Sequence, residues 1–485
     1  MNRLTYAAAR KAVSVAIDVA LKKVEKDRDK ALCDLVSLIA NYMKGDQIPF
    51  KAEDINAIIM NKESSMRQFI DRVIDEVDHE VLKKMFLNLG FTAFFHGAKK
   101  IRRSREKYQC NVPWLIIMDP TSACNLHCTG CWAAEYGNKL NLTFEEMDSI
   151  VKQGKELGTY FYLFTGGEPL VRKADLIKLC EKHNDCAFMS FTNGTLIDQA
   201  FCDEMKRVGN LMLQISLEGD PSANDLRRGE GVYGKVMAAM DLLKQNGLIF
   251  GTSVCYTSKN YESVTSDEFF DLIKNKGCRL AMYFHYMPVG KNADTSLLLT
   301  PEQRLVMIDR IRSRRNLTTG RGIFAMDFQN DGEYVGGCIA GGRNYFHINA
   351  NGDCEPCVFI HYSDSNIREK TILEALQSPL FQAYRDNQPF NNNHLRPCPM
   401  LENPEILGKM VRETGAHSTE MIEAESPEDL ARKCIPYANS WKPTAEDHWN
   451  THTHVKKKYE NYKKDSETHK LLDADAADGV DEEAI

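Results

Sequence analysis

The sequence predicts an α/β fold: a parallel sheet of consecutive strand–helix units, with a helical region before it and a loop-rich, cysteine-bearing module after it. Three observations carry this expectation. Apolar residues recur at helical spacing through the first 110 residues. From residue 113, short apolar runs alternate with amphipathic helical stretches, six times in series. Beyond residue 325 the alternation stops, and glycine and cysteine become frequent, as in "GGCIAGGRNYFHINANGDCEPC" at 336–357.

The first region reads as helices over 4–25, 29–43, 52–60 and 65–79. Its opening mimics a signal peptide, but Arg10, Lys11 and Asp18 interrupt the apolar stretch. We read it as an amphipathic helix of a protein that stays in the cytoplasm. The segment 80–108 joins an apolar part, Met85 to Phe95, to the basic residues Lys99, Lys100, Arg102, Arg103, Arg105 and Lys107. It reads either as a core helix with a solvated basic end or as a helix lying on an anionic membrane surface.

The strand-like runs are 114–119, 160–165, 187–191, 211–217, 250–256 and 280–286. Helical runs near 143–157, 173–183, 199–208, 233–246 and 266–276 separate them, and another follows at 301–313. Thr143 and Glu146 form a capping box at the first of these helices. Serial strand–helix units imply parallel strands with right-handed crossovers. Six units are too few for an eight-fold barrel, which leaves a partial barrel or an open doubly wound sheet. In both, the site lies at the C-terminal ends of the strands.

With 485 residues, 43% hydrophobic and 27% charged, the chain has the composition of a soluble globular protein. No uncharged apolar run approaches the ~20 residues that span a bilayer. A net charge of -7 argues against a nucleic-acid partner. The 15 cysteines are odd in number and point to metal ligation rather than disulfides.

Three of them, Cys124, Cys128 and Cys131, lie in one loop directly after the first strand. Clustered thiolates select zinc or iron–sulfur clusters. A closed structural site takes four protein ligands, so a set of three leaves a metal position open for chemistry. Later strand ends carry "TGGEP" at 165–169, "TNGT" at 192–195, "SLEG" at 216–219, "RRG" at 227–229 and "MPVG" at 287–290. The triplet Cys124-x3-Cys128-x2-Cys131, followed by these motifs in order, resembles the radical S-adenosylmethionine (SAM) superfamily.

That resemblance implies a partial (β/α)6 TIM-type barrel. It implies a [4Fe–4S] cluster on Cys124, Cys128 and Cys131, whose open iron is chelated by SAM. It also implies an anaerobic oxidoreductase or transferase in which SAM is cleaved reductively and the resulting radical takes a hydrogen atom from an unactivated C–H bond. SAM contacts are implied for Gly166, Gly167, Glu168, Pro169, Thr192, Asn193, Ser216, Glu218 and Arg228. The implied electron donor is a flavodoxin or ferredoxin. No proton or hydrogen donor is named. The residue before the third cysteine, often aromatic in the family, is Gly130, and Trp132 is the aromatic at hand to replace it.

A second set, Cys338, Cys354, Cys357 and Cys398, resembles the SPASM or half-length Twitch extension, in which Gly352 and Cys357 fit the pattern of an auxiliary cluster. One auxiliary iron–sulfur cluster is expected. Cys354 is the expected fourth ligand, Cys434 the competing one, and structural zinc the bland alternative. The remaining cysteines read as small core residues, with Cys255 a candidate for facing the cavity.

The expected division is 1–110 helical, 111–325 barrel, 326–440 auxiliary module, and 441–485 a polar acidic tail, largely disordered. For the substrate, the leading expectation is lipid tails, joined through carbon–carbon bonds by an enzyme peripheral on the inner face of the membrane. The alternatives are peptide or protein modification and, from another class, a non-catalytic iron–sulfur scaffold or electron carrier.

Overall fold

A computed structural model describes residues 3–42 and 52–451. Nine strands form one sheet: β1 (Leu115–Met118), β2 (Phe161–Phe164), β3 (Ala187–Thr192), β4 (Leu211–Ser216), β5 (Phe250–Tyr256), β6 (Leu280–His285), β7 (Phe324–Asp327), β8 (Tyr345–Ile348) and β9 (Cys354–Glu355). Their order is β7-β6-β5-β4-β3-β2-β1-β8-β9. From β1 to β7 the strands are parallel and progress in one direction, without the reversal that defines a doubly wound sheet. The ends do not pair, so the fold is a partial barrel.

The six expected strands are present. Three more were not anticipated: β7, β8 parallel to β1, and β9 antiparallel to β8. The expected boundary at residue 325 falls inside β7. Thr143 caps the helix Phe144–Leu157 with Glu146 in the anticipated capping box.

The N-terminal region is helical at Arg3–Lys26, Arg28–Tyr42, Ala52–Met60 and Ser65–Glu76. Residue 43, the end of one expected helix, lies outside the described residues. The 80–108 segment is continuous helix with a π-helical middle, Phe86–Gly97, and it packs on the barrel. Leu87, Phe91, Ala93 and Ile101 are buried. Asn88 donates to the carbonyl of Cys186 at 2.7 Å. A Cβ on Gly97 would stand 2.6 Å from the Gly158 carbonyl, so only glycine permits this approach.

Part of the basic cluster also faces the barrel. Lys100 donates to the Lys155 carbonyl at 2.7 Å, and Arg105 to that of Val112 at 3.0 Å. These contacts fit the core-helix reading of this segment, with Lys99, Arg102, Arg103 and Lys107 as its solvated basic end. Among the described residues no helix is long and apolar enough to cross a membrane.

The expected tail begins too early. Residues 441–451 complete the helix Pro427–Thr451, which buries Trp441, Ala445 and Trp449. Trp441, Ala445 and Trp449, four residues apart in an otherwise polar stretch, were the overlooked helical signal. The rest of the tail, including "DADAADGVDEEAI", lies outside the described residues.

Candidate active site

The loop after β1 carries Cys124, Cys128 and Cys131 at the C-terminal edge of the sheet, all three partly accessible. The loop is stitched to its neighbours through the backbone. Gly167 N–H donates to the Thr121 carbonyl at 3.0 Å and Glu168 N–H to that of Ala123 at 2.8 Å. A Cβ on Gly167 would overlap the Ala123 carbonyl, which explains the glycine of "TGGEP". Thr129 N–H donates to the Arg227 carbonyl at 2.8 Å, tying the loop to the helix Pro221–Arg228. Burial pushes the Cys124 thiol up to about 11 and raises that of Cys128, which Arg228 and Arg227 oppose. Cys124 feels the charge of Cys128 and Cys131, and Cys128 that of Cys131. Among the described residues no three His, Cys, Asp or Glu side chains converge to hold a single metal ion.

Glu168 is buried, and its carboxylate is fully engaged. Oε1 accepts from Leu170 N–H at 2.9 Å and from the Thr192 hydroxyl at 2.7 Å, and Oε2 from Asn193 N–H at 2.8 Å. This acid therefore joins the β2 and β3 loops. Asn193 donates to Asn125 at 2.8 Å, and Asn125 to Thr195 at 2.8 Å, which fastens the cysteine loop to β3. Pro169 is buried and starts a short 3-10 turn. Ser216 ends β4, half-buried and facing the hollow of the sheet.

Glu218, fully buried, gathers both arginines on Oε1: Arg227 at 2.8 Å and Arg228 at 2.5 Å. Its Oε2 accepts from Cys255 N–H at 3.0 Å. Arg228 also reaches Cys128 Sγ at 3.9 Å. Cys255, on β5, has Arg227, Glu218 and Cys131 among its charged neighbours, so it does face the site. Of this group the sequence reading missed Arg227 and Asn125. The doubled arginine of "RRG" was the available signal for the first, and nothing in the sequence marked the second.

The substitute aromatic is not where sequence alone placed it. A Cβ on Gly130 would stand 2.6 Å from the Tyr286 ring, and Gly130 has φ +65. Tyr286, from the end of β6, thus fills the space beside the third cysteine. Trp132 turns the other way. Its ring packs edge-on to Tyr136, His347, Phe359 and His361, with centroids 5.7–6.2 Å away.

Beneath Trp132 lies a buried polar chain. His347 meets Asp119 at 2.9 Å through Nε2 and Glu355 at 2.6 Å through Nδ1, and the Tyr136 hydroxyl donates to Glu355 at 2.7 Å. Burial alone pushes the His347 imidazole down, but Asp119 and Glu355 more than offset it and raise it to about 10. This group joins β1, the cysteine loop and the second module.

In that module Cys338, Cys357 and Cys398 come together, each raised by burial and each within the others' electrostatic reach. Cys354 does not join them. It stands opposite Ile348 in the β8–β9 ladder, whereas Glu355 stands opposite His347, so strand alternation turns Cys354 to the other face. Its charged neighbours are Asp353, Glu355, Asp364 and Lys370. Cys434, also buried, has Lys433, Glu425 and Glu402 as its charged neighbours. The β8–β9 ladder thus turns Cys354, the expected fourth ligand, away from the other three.

Tyr345 OH lies 2.8 Å from Cys357 Sγ, with both side chains buried. Hydrogen bonds to cluster sulfurs help set reduction potential. Tyr345→Phe is expected to lower the midpoint potential of the auxiliary centre without loss of iron, as read by an EPR-monitored redox titration.

The Radical SAM superfamily profile matches residues 118–272, and SPASM, an iron-sulfur cluster-binding domain, matches 338–400. The chain is 26% identical over 233 residues to Fe-coproporphyrin III synthase of Methanosarcina barkeri, covering 46% of this chain and 57% of that protein. To PqqA peptide cyclase of Granulibacter bethesdensis it is 24% identical, covering 56% of this chain and 76% of the other. Streptococcus suis SuiB, solved with S-adenosylmethionine bound, shares the fold at TM-score 0.51 and 17% identity, over 62% of this chain and 76% of that one. Lipid, the leading substrate expectation from sequence, is not among the substrates that the two relatives' names carry, whereas peptide is. The domains imply a [4Fe–4S] cluster with SAM, and auxiliary iron–sulfur binding. The three-thiol loop and the second thiol set supply donors of the kind both centres require, and the chain carries a radical SAM superfamily domain at 118–272 followed by a SPASM domain at 338–400.

Proposed function

We propose that this enzyme abstracts a hydrogen atom from a peptide, using Cys124, Cys128 and Cys131 to hold the SAM-binding cluster. The observation that carries the reading is the three-cysteine loop hydrogen-bonded to the "TGGEP" turn at the strand ends. When bound, the cluster and SAM supply one-electron cleavage and a carbon radical able to take the hydrogen.

The chain's own residues prepare that chemistry. Gly166 and Gly167 let the turn pack against Asp119 to Ala123 at the start of the cysteine loop, while Glu168, Pro169, Thr192 and Asn193 fix its shape beside the SAM site. Ser216, Glu218 and Arg228 line the opposite wall, with Arg228 oriented by Glu218 toward Cys128. Cys338, Cys357 and Cys398 hold the auxiliary centre. The reductant is an electron donor of the flavodoxin or ferredoxin type. The peptide substrate is supported by the name of the PqqA peptide cyclase relative.

Peptide and lipid extracts from cells with and without the protein, compared by mass spectrometry, test the substrate. Peptides whose mass or fragmentation changes only when the protein is present are the expected result. Unaltered peptides alongside altered lipids would overturn it.

A further inference from the structure

We propose that the barrel hollow admits an uncharged, apolar side chain of the peptide and rejects charged ones; this rests on the peptide reading above. The phenyl rings of Phe191 on β3 and Phe284 on β6 lie 5.6 Å apart, although β4 and β5 separate their strands in the sheet. Both rings therefore point into the hollow. Phe284 also meets Phe328, just after β7, at 5.3 Å.

Burial follows the pleat. On β6, Ala281, Tyr283 and His285 are buried on the outer, helix-covered face, while Met282 and Phe284 remain half-buried on the inner one. Met282 stands in register with Ser253 on β5 and Met326 on β7, both also half-buried. Inward positions of a filled barrel would be sealed; these keep access to solvent. The inner face of β5 to β7 carries no charged side chain. At its rim Arg227 and Arg228 share the single carboxylate of Glu218, which leaves one positive charge in excess there. A Lys side chain entering here would lose its hydration and pass the surplus positive charge, and a Glu reaching below the rim would lose its hydration among uncharged side chains, whereas an aliphatic or aromatic one would exchange water for Met and Phe contacts.

In the step itself the substrate C–H bond breaks, a C–H bond forms on the SAM-derived carbon, and the unpaired electron stays on the substrate. Deuterium reports this transfer. The holoenzyme, reconstituted anaerobically and given SAM and dithionite, is incubated with short capped peptides bearing one deuterated Leu, Phe, Lys or Glu. Deuterium in 5′-deoxyadenosine is read by mass spectrometry. Transfer from Leu or Phe is expected to exceed that from Lys or Glu by at least about tenfold. Met282→Glu should shift the preference toward Lys, and Ser253→Glu, on the neighbouring strand, should do the same. Iron content and SAM cleavage report that each variant is folded.

Equal transfer from charged residues, or an unchanged preference in both folded variants, overturns the proposal. Deuterium arriving from vesicles containing a perdeuterated fatty acid, and from none of the peptides, overturns it too. Absence of 5′-deoxyadenosine altogether would instead sink the underlying radical reading.

Discussion

Replacing any one of Cys124, Cys128 and Cys131 by alanine is expected to reduce 5′-deoxyadenosine formation to the level measured without protein. The loop offers three thiols and no fourth, so losing one leaves two donors for a cluster that needs three. Backbone bonds from Thr129 to Arg227 and from Glu168 to Ala123 hold the loop independently of any one thiol, so the fold should persist. Iron content should fall by one cluster's worth while circular dichroism stays unchanged. Cys357→Ala separates the two centres: it should remove the auxiliary iron and leave the SAM-binding cluster spectroscopically visible. Retained SAM cleavage in a loop variant would refute the assignment.

The second large effect concerns Arg304. Its guanidinium is fully buried and lies 2.7 Å from the equally buried Glu402. It also donates to Asn330 at 2.8 Å and to Tyr437 at 3.1 Å, and stacks on Trp441 with 4.4 Å to the ring. Glu402 in turn accepts from Cys398 N–H at 2.7 Å. One cation thus joins a barrel helix, the auxiliary cysteine loop and the C-terminal helix. Arg304→Met leaves the Glu402 carboxylate buried without its partner, and breaking such a pair costs about 3–5 kcal/mol. Urea unfolding should show a lower midpoint, and iron should be lost from the auxiliary set before the barrel melts. The double variant Arg304→Met with Glu402→Gln should recover part of the loss, because the orphaned charge is gone.

Much of the barrel was legible because its strands are short apolar runs bounded by amphipathic helices, a local signal. The cysteine loop and the strand-end motifs were legible for the same reason, since spacing along the chain is their definition. What escaped depends on partners distant in sequence. Pairing of β8 with β1 joins residues about 230 apart, and a four-residue strand in a glycine-rich stretch carries no sign of its neighbour. Tyr286 takes its place beside Gly130 only through the curvature of the sheet. Cys354 looked like a ligand because Cys-x2-Cys spacing suits metals, but the β8–β9 ladder decides which face each residue takes. Within the basic cluster at 99–107, Lys100 and Arg105 take main-chain carbonyls as acceptors, partners that composition does not show.

The ladder between β1 and β8 has a mechanical consequence. The strand that launches the first cysteine loop is also the strand on which the second half of the chain is zipped, four residues in register. The ladder therefore ties the strand that leads into the first cysteine loop directly to the module that carries the second thiol set. A fragment ending near residue 325 would bare the β1 margin, an open row of amides and carbonyls inviting another chain to add on. The halves of this enzyme are a single casting, and they should be expressed, purified and unfolded only together.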